Sequence, residues 1–365
     1  MKITHLFLLL LTVSLMSSCE DEIAPEPTPE LVVPTTYNFE NVSYSGQQSR
    51  LAQFVELKAY MASSQTSGVA LDADRLAAMY ANEEGAGYSQ AYTKDMRSKT
   101  FENVQADFDA LFVELAEASQ STVAGSEGVA GVIGSNDGEK NYLIGADGLD
   151  HAQLIEKGLM GALLYYQATS VYMGDDRMNV DNTTVEPGEG TEMEHHWDEA
   201  FGYFGAPTDF PVTTDGIVFW ANYADKREAV LGNSQALMDA LLKGRAAISE
   251  GRLELRDEAI TEARKQWELI SVTSALHYLN ASITNIDDVA LRAHGLSEAI
   301  GFIYALQFND GKKITNSQVA DILTRLAGSA NFAEMNINNI IVAELEAARE
   351  ALAGVYDLTA RQTEF

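Results

Sequence analysis

The sequence predicts an all-α protein, two packed helical bundles related by an internal duplication, and three observations predict it. Of seven prolines in 365 residues, Pro25, Pro27, Pro29 and Pro34 fall before Thr36, so only Pro187, Pro207 and Pro211 interrupt the rest. Proline removes a backbone donor and clashes with the preceding turn, so its scarcity leaves long intervals free to be helical. Those intervals are rich in Ala, Leu and Glu, with apolar positions three and four apart. The third observation is a segment that occurs twice. His195-His196-Trp197-Asp198-Glu199-Ala200-Phe201-Gly202-Tyr203 aligns without a gap with His294-Gly295-Leu296-Ser297-Glu298-Ala299-Ile300-Gly301-Phe302. The chain holds no series of alternating Val/Ile/Thr runs and no strand, Gly-rich loop and helix in succession, which argues against a sheet enzyme that binds nucleotides.

The elements follow in order. Met1-Lys2-Ile3-Thr4-His5, the apolar run 6–16 and Ser17-Ser18-Cys19 read as a lipoprotein signal peptide, 1–18, with Cys19 as the lipidated residue. The apolar run is too short for a membrane span, which needs roughly 20 residues. Residues 19–36, with Pro interleaved with Glu and Thr, read as a semi-rigid tether. Helical spacing then predicts helices over 49–64, 72–81, 100–119, 150–173, 192–204, 234–249, 257–283, 287–307, 316–326 and 336–352. The Gly/Ser/Asn-rich stretch 124–140 and the acidic stretch 174–191 read as solvent-facing loops. A seam at 205–215, holding two prolines, divides an N-terminal bundle, 37–210, from a C-terminal bundle, 211–365. Gly158 and Gly161, amid Leu159, Met160, Leu163 and Leu164, predict a close helix contact inside a soluble bundle.

Charge and composition exclude several classes. With 54 acidic against 24 basic residues the formal net charge is -30, so binding to nucleic acid through its phosphates is excluded. The polypeptide would also be repelled by anionic headgroups, leaving the lipid as the membrane anchor. One Cys rules out a disulfide framework and any thiolate-built metal site. Glu20-Asp21-Glu22, directly after Cys19, is similar to a surface-export signal of some gram-negative lineages and equally to a solvated linker. The expected location is the gram-negative envelope, lipid-anchored at the outer membrane and exposed at its surface.

The duplicated segment carries the candidate chemistry. Residues four apart on a helix share a face, so His195 with Glu199 and His294 with Glu298 can each aim at one point. Imidazole nitrogen with carboxylate oxygen suits a divalent metal or iron. The expectation is that these four converge in one interior metal site, with Glu194, His196 and His151 as further ligands or supporting partners. The bland reading of each pair is an exposed helix ion pair, and duplicated core packing would preserve the same spacing.

The lipoprotein signal, the all-α body, the run from Glu194 to Gly205 and the later His294-Gly295-Leu296-Ser297-Glu298-Ala299 resemble the lipoproteins of domain of unknown function 4856, over nearly all of the mature chain. More distantly they resemble imelysin-like envelope proteins. That resemblance implies a two-bundle helical fold, a setting in iron uptake and a Gly-x-His-x-x-Glu motif, matched here by His196-Trp197-Asp198-Glu199 with Glu194 where the motif has Gly. The function expected is a non-enzymatic, metal-binding or iron-uptake accessory lipoprotein whose partner is an outer-membrane transporter. An alternative, from 15 Tyr and 3 Trp, is a module binding an extracellular polymer or partner protein through Trp197, Tyr203 and Trp220. A metallopeptidase is weaker, because no His-Glu-x-x-His is present.

Overall fold

Side-chain caps mark where helices start. Asp72 accepts from the amides of Asp74 and Arg75, Asp150 from that of Gln153, and Asp288 from that of Leu291. Thr191 with Glu194, and Thr315 with Gln318, form reciprocal capping boxes. Each cap satisfies amides that the first helical turn leaves without a carbonyl. The computed structural model describes residues 29–365; the signal peptide, Cys19 and the first part of the tether lie outside them.

The described residues form α1 (Ser45–Ser63), α2 (Ala73–Ala81), α3 (Gln105–Ser119), β1 (Gly131–Gly134), β2 (Asn141–Ile144), α4 (His151–Leu159), α5 (Asp175–Met178), α6 (Glu192–Gly202) and α7 (Phe219–Leu231). There follow α8 (Asn233–Ser249), α9 (Leu253–Thr284), α10 (Val289–Ala305), α11 (Asn316–Ala327) and α12 (Val342–Val355). The described residues are all-α apart from one small antiparallel hairpin. Helix α9, about 48 Å long at 1.5 Å per residue, is the spine against which α8, α10 and α12 pack.

Helix α4 runs on through π-helical turns at Met160–Tyr165 and Gln167–Tyr172, so the expected helix over 150–173 is continuous but wider. The changed ladder frees carbonyls for other elements: Met160 O accepts from Trp220 Nε1, Ala162 O from the Phe101 amide, and Thr169 O from Arg264. Its glycines are contact points. A Cβ on Gly158 would come within 2.9 Å of the Phe108 ring, and one on Gly161 within 2.5 Å of Ala305 Cα on α10.

Several expectations change, and the acidic stretch 174–191 is not all loop because it holds the short helix α5 with Met178 buried. The stretch 124–140 is not all loop, because β1 pairs with β2, Gly131 opposite Ile144 and Gly134 opposite Asn141. Four residues per strand are too few for alternation to show. Helix α7 was hidden by its charged second half, Asp225-Lys226-Arg227-Glu228, since its buried residues all lie in the first half. The last long helix begins at Val342 rather than 336, and the turn before it is pinned by the Ile337 amide on Asp147 O. Finally, one contiguous apolar core runs from Tyr37 to Phe365, with α4 against α10 and α6 against α8. The seam at 205–215 therefore divides the sequence without dividing the core. Among the described residues no helix is long and apolar enough to cross a membrane.

Candidate metal sites

The two copies of the repeat build matching surroundings. In the first, α6 crosses α1 at Gly202, where a Cβ would lie 2.8 Å from Tyr44 Cβ and 2.9 Å from Gln47 Cβ. Gln47 then reaches along the contact and donates to Glu199 at 2.9 Å, and the Tyr172 hydroxyl donates to the same oxygen at 3.0 Å. In the second, α10 crosses α4 at Gly301, where a Cβ would collide with Lys157 Cβ. Lys157 Nζ then sits 3.1 Å from Glu298, and the Tyr223 hydroxyl donates to that same Glu298 oxygen at 3.2 Å. Each repeat thus carries a His, a Glu four residues on, a glycine that admits a neighbouring helix, and a polar side chain and a tyrosine from that surrounding that satisfy the Glu.

In the α6 cluster Glu199 Oε2 lies 3.3 Å from His196 Nδ1 and 3.8 Å from His195 Nε2. His196 Nε2 lies 3.8 Å from Glu192 and 3.4 Å from Arg177 Nη1, while His195 Nδ1 is buried without a partner. Burial pushes the Glu199 carboxyl up, but hydrogen bonds from His196 and Gln47, the His195 charge and the Tyr172 hydroxyl outweigh it and hold it below the usual range. His195 also lines a cavity of about 380 Å³ with Asp181, Glu186, Glu189 and Glu192.

Glu194, expected as a ligand, is committed elsewhere. It closes the Thr191 capping box and pairs with Arg245 and Ser249. Burial raises its pKa, and Ser249, the Thr191 amide and Arg245 more than reverse this. Asp198, fully buried, takes Arg245 Nε at 2.9 Å and the Tyr37 hydroxyl at 2.8 Å. Burial pushes it up to about 6 despite Arg245.

In the α10 cluster His294 Nδ1 faces Asp150 at 2.9 Å and Nε2 faces Glu298 at 3.5 Å, with Tyr142 of β2 stacked on the ring at 4.0 Å. Lys157, 1 % exposed, also pairs with Glu156 at 3.0 Å. Burial lowers the His294 pKa, but the Asp150 hydrogen bond and the charges of Asp150 and Glu298 raise it overall.

No ion pair or hydrogen bond among the described residues joins the two clusters. Their anchors on the α4 helix, Lys157 and Tyr172, are separated by a distance on the order of 20 Å at helical rise. His195, Glu199, His294 and Glu298 therefore do not converge, and the shared site expected from the repeat is not formed. The repeated segment keeps the packing of each copy and does not unite the two.

His151, expected as an accessory ligand, lies in a third group. Its Nε2 is 2.9 Å from Asp147 Oδ2 and 3.5 Å from Glu114 Oε2. Among the described residues this is where three His or carboxylate donor atoms all come within 4.8 Å of one another. Burial raises the Glu114 pKa; at His151, burial lowers it but Asp147 and then Glu114 raise it further. The sequence signalled neither carboxylate. Asp147 precedes His151 by four residues in a turn, where helical spacing says nothing, and Glu114 comes from α3. Trp197, Tyr203 and Trp220 are fully buried, and the two indoles donate to Leu241 O and Met160 O. They line no exposed cleft, which weighs against the polymer-binding alternative.

No curated protein and no solved structure matches the chain. Residues 34–337 match the family described as Domain of unknown function (DUF4856). On that match, which covers most of the sequence, the chain belongs to the DUF4856 family.

Proposed function

We propose that the protein is an envelope lipoprotein, held at the outer membrane through lipid on Cys19, that binds a metal cation without enzymatic turnover and serves metal or iron uptake beside a membrane transporter. The observation that carries this reading is the α6 cluster, where two imidazoles meet one carboxylate at the edge of an acidic cavity. Glu199 Oε2 lies 3.3 Å from His196 Nδ1 and 3.8 Å from His195 Nε2, near the roughly 3.4 Å between ligands held about 2.1 Å from a tetrahedral ion, while the two imidazole rings stand 6.2 Å apart, so one of them must turn to share the ion. Imidazole and carboxylate together suit zinc or iron, and acidic walls raise the local cation concentration. The imelysin-like resemblance at His196 and Glu199 supports the same setting.

Equilibrium dialysis of the full chain in detergent against Zn²⁺ and Fe²⁺, followed by metal analysis, tests it. Wild type is expected to hold one more equivalent than His195→Ala/Glu199→Gln. Equal metal content in the two proteins would remove the α6 site.

A further inference from the structure

We propose that Glu114, Asp147 and His151 form a second cation site, separate from α6, for a borderline divalent transition metal such as zinc, manganese or ferrous iron. The first support is the donor set. One imidazole nitrogen and two carboxylate oxygens, all within 4.8 Å of one another, need shifts of only about an ångström to surround an ion at roughly 2.0 to 2.2 Å. Three protein ligands leave further positions for water, and the mixed nitrogen and oxygen set favours these metals over calcium or magnesium.

The second support is charge. Among the described residues neither Glu114 nor Asp147 pairs with Lys or Arg, and a single imidazole faces both. Their side chains are only 34 % and 24 % exposed, so water screens them incompletely. A divalent cation supplies the missing positive charge.

The third support is His151 itself. The side chain is 4 % exposed, its Nε2 aims between the carboxylates, and its buried Nδ1 has no hydrogen-bond partner. Nε2 donates to Asp147 at 2.9 Å; a metal would displace that proton and take the nitrogen already aimed between its two carboxylate ligands.

The turn holds this arrangement in advance. Asp147 Oδ1 accepts from the Leu149 amide at 2.9 Å, which leaves Oδ2 to face His151. The Gly145 amide donates to Leu149 O at 2.8 Å, and the Ile337 amide donates to Asp147 O at 2.9 Å. Gly145 has no side chain where one would collide with Asp147 and come within 2.5 Å of His151 Cε1. Such fixed outer contacts are what orient metal ligands.

The test is equilibrium dialysis of the chelator-stripped full chain against ZnCl₂, in the His195→Ala/Glu199→Gln background so that the α6 site is silent. That background is expected to keep one zinc per chain. Adding Asp147→Asn or Glu114→Gln, which preserve shape, should weaken this zinc by roughly 100-fold, and His151→Ala should abolish it. No zinc in the parent background, or zinc bound equally well after Asp147→Asn and Glu114→Gln, would overturn the proposal. Should His151→Ala fail to fold by circular dichroism, the two isosteric variants decide it. The outcome is read without α6 and is independent of the function proposed above.

Discussion

Lys157 and Gly301 occupy one point in the fold: the absent side chain of Gly301 is the space that Lys157 Cβ fills, and α10 meets α4 there. The neighbouring atom is the stiff root of a fully buried side chain, so it cannot swing aside. Gly301→Ala should therefore separate the helices and cost about 1 to 3 kcal/mol, the usual range for overpacking. Gly202→Ala, whose Cβ would meet Tyr44 and Gln47 at 2.8 and 2.9 Å, should cost less. Urea denaturation compares the two, and an unperturbed Gly301→Ala would mean that the contact is looser than described.

Lys157 should be a highly sensitive charge. It lies between Glu156 and Glu298, all three nearly inaccessible. Lys157→Met leaves two buried carboxylates short of a partner and should destabilise by about 3 to 5 kcal/mol. Adding Glu298→Gln should restore part of that loss, whereas simple additivity in the double-mutant cycle would deny that the pair is coupled.

Stability should fall as pH rises from near neutrality. His294 has both nitrogens facing carboxylates, and its folded pKa is raised, as is that of His151. A raised folded pKa means that the folded state holds the proton more tightly. The stabilisation is therefore complete below the unfolded value of about 6.5 and is lost as pH climbs through the higher folded value. His294→Asn should flatten this part of the profile. An equally steep fall in the variant would assign the effect to another group.

Much of this was legible in the sequence, and the limits have physical causes. Most helix positions follow from apolar spacing, and Gly158 and Gly161 announced a close contact that α10 and Phe108 supply. The repeat is real at the level of packing: Gln47 reaches Glu199 as Lys157 reaches Glu298. Convergence was not legible, because spacing fixes which residues share a face and says nothing of how far apart two faces lie. Glu194 read as a ligand from its neighbours, yet its partner Arg245 is 51 residues away in sequence. Glu114 and Asp147 were invisible for the same reason.

The proposed lipid anchor predicts a simple fractionation result. With lipid on Cys19 as the anchor, Cys19→Ala should move the protein from the membrane to the soluble fraction. An unchanged membrane-bound fraction would place the anchor elsewhere.

A metal held at the α6 histidines would be visible in the crystal. Anomalous diffraction at the zinc edge, from crystals of the full chain grown with zinc, tests this most directly. A peak is expected about 2.0 to 2.2 Å from an imidazole nitrogen of His195 or His196 and from a Glu199 oxygen. Crystals with zinc bound elsewhere and none at α6 would contradict it.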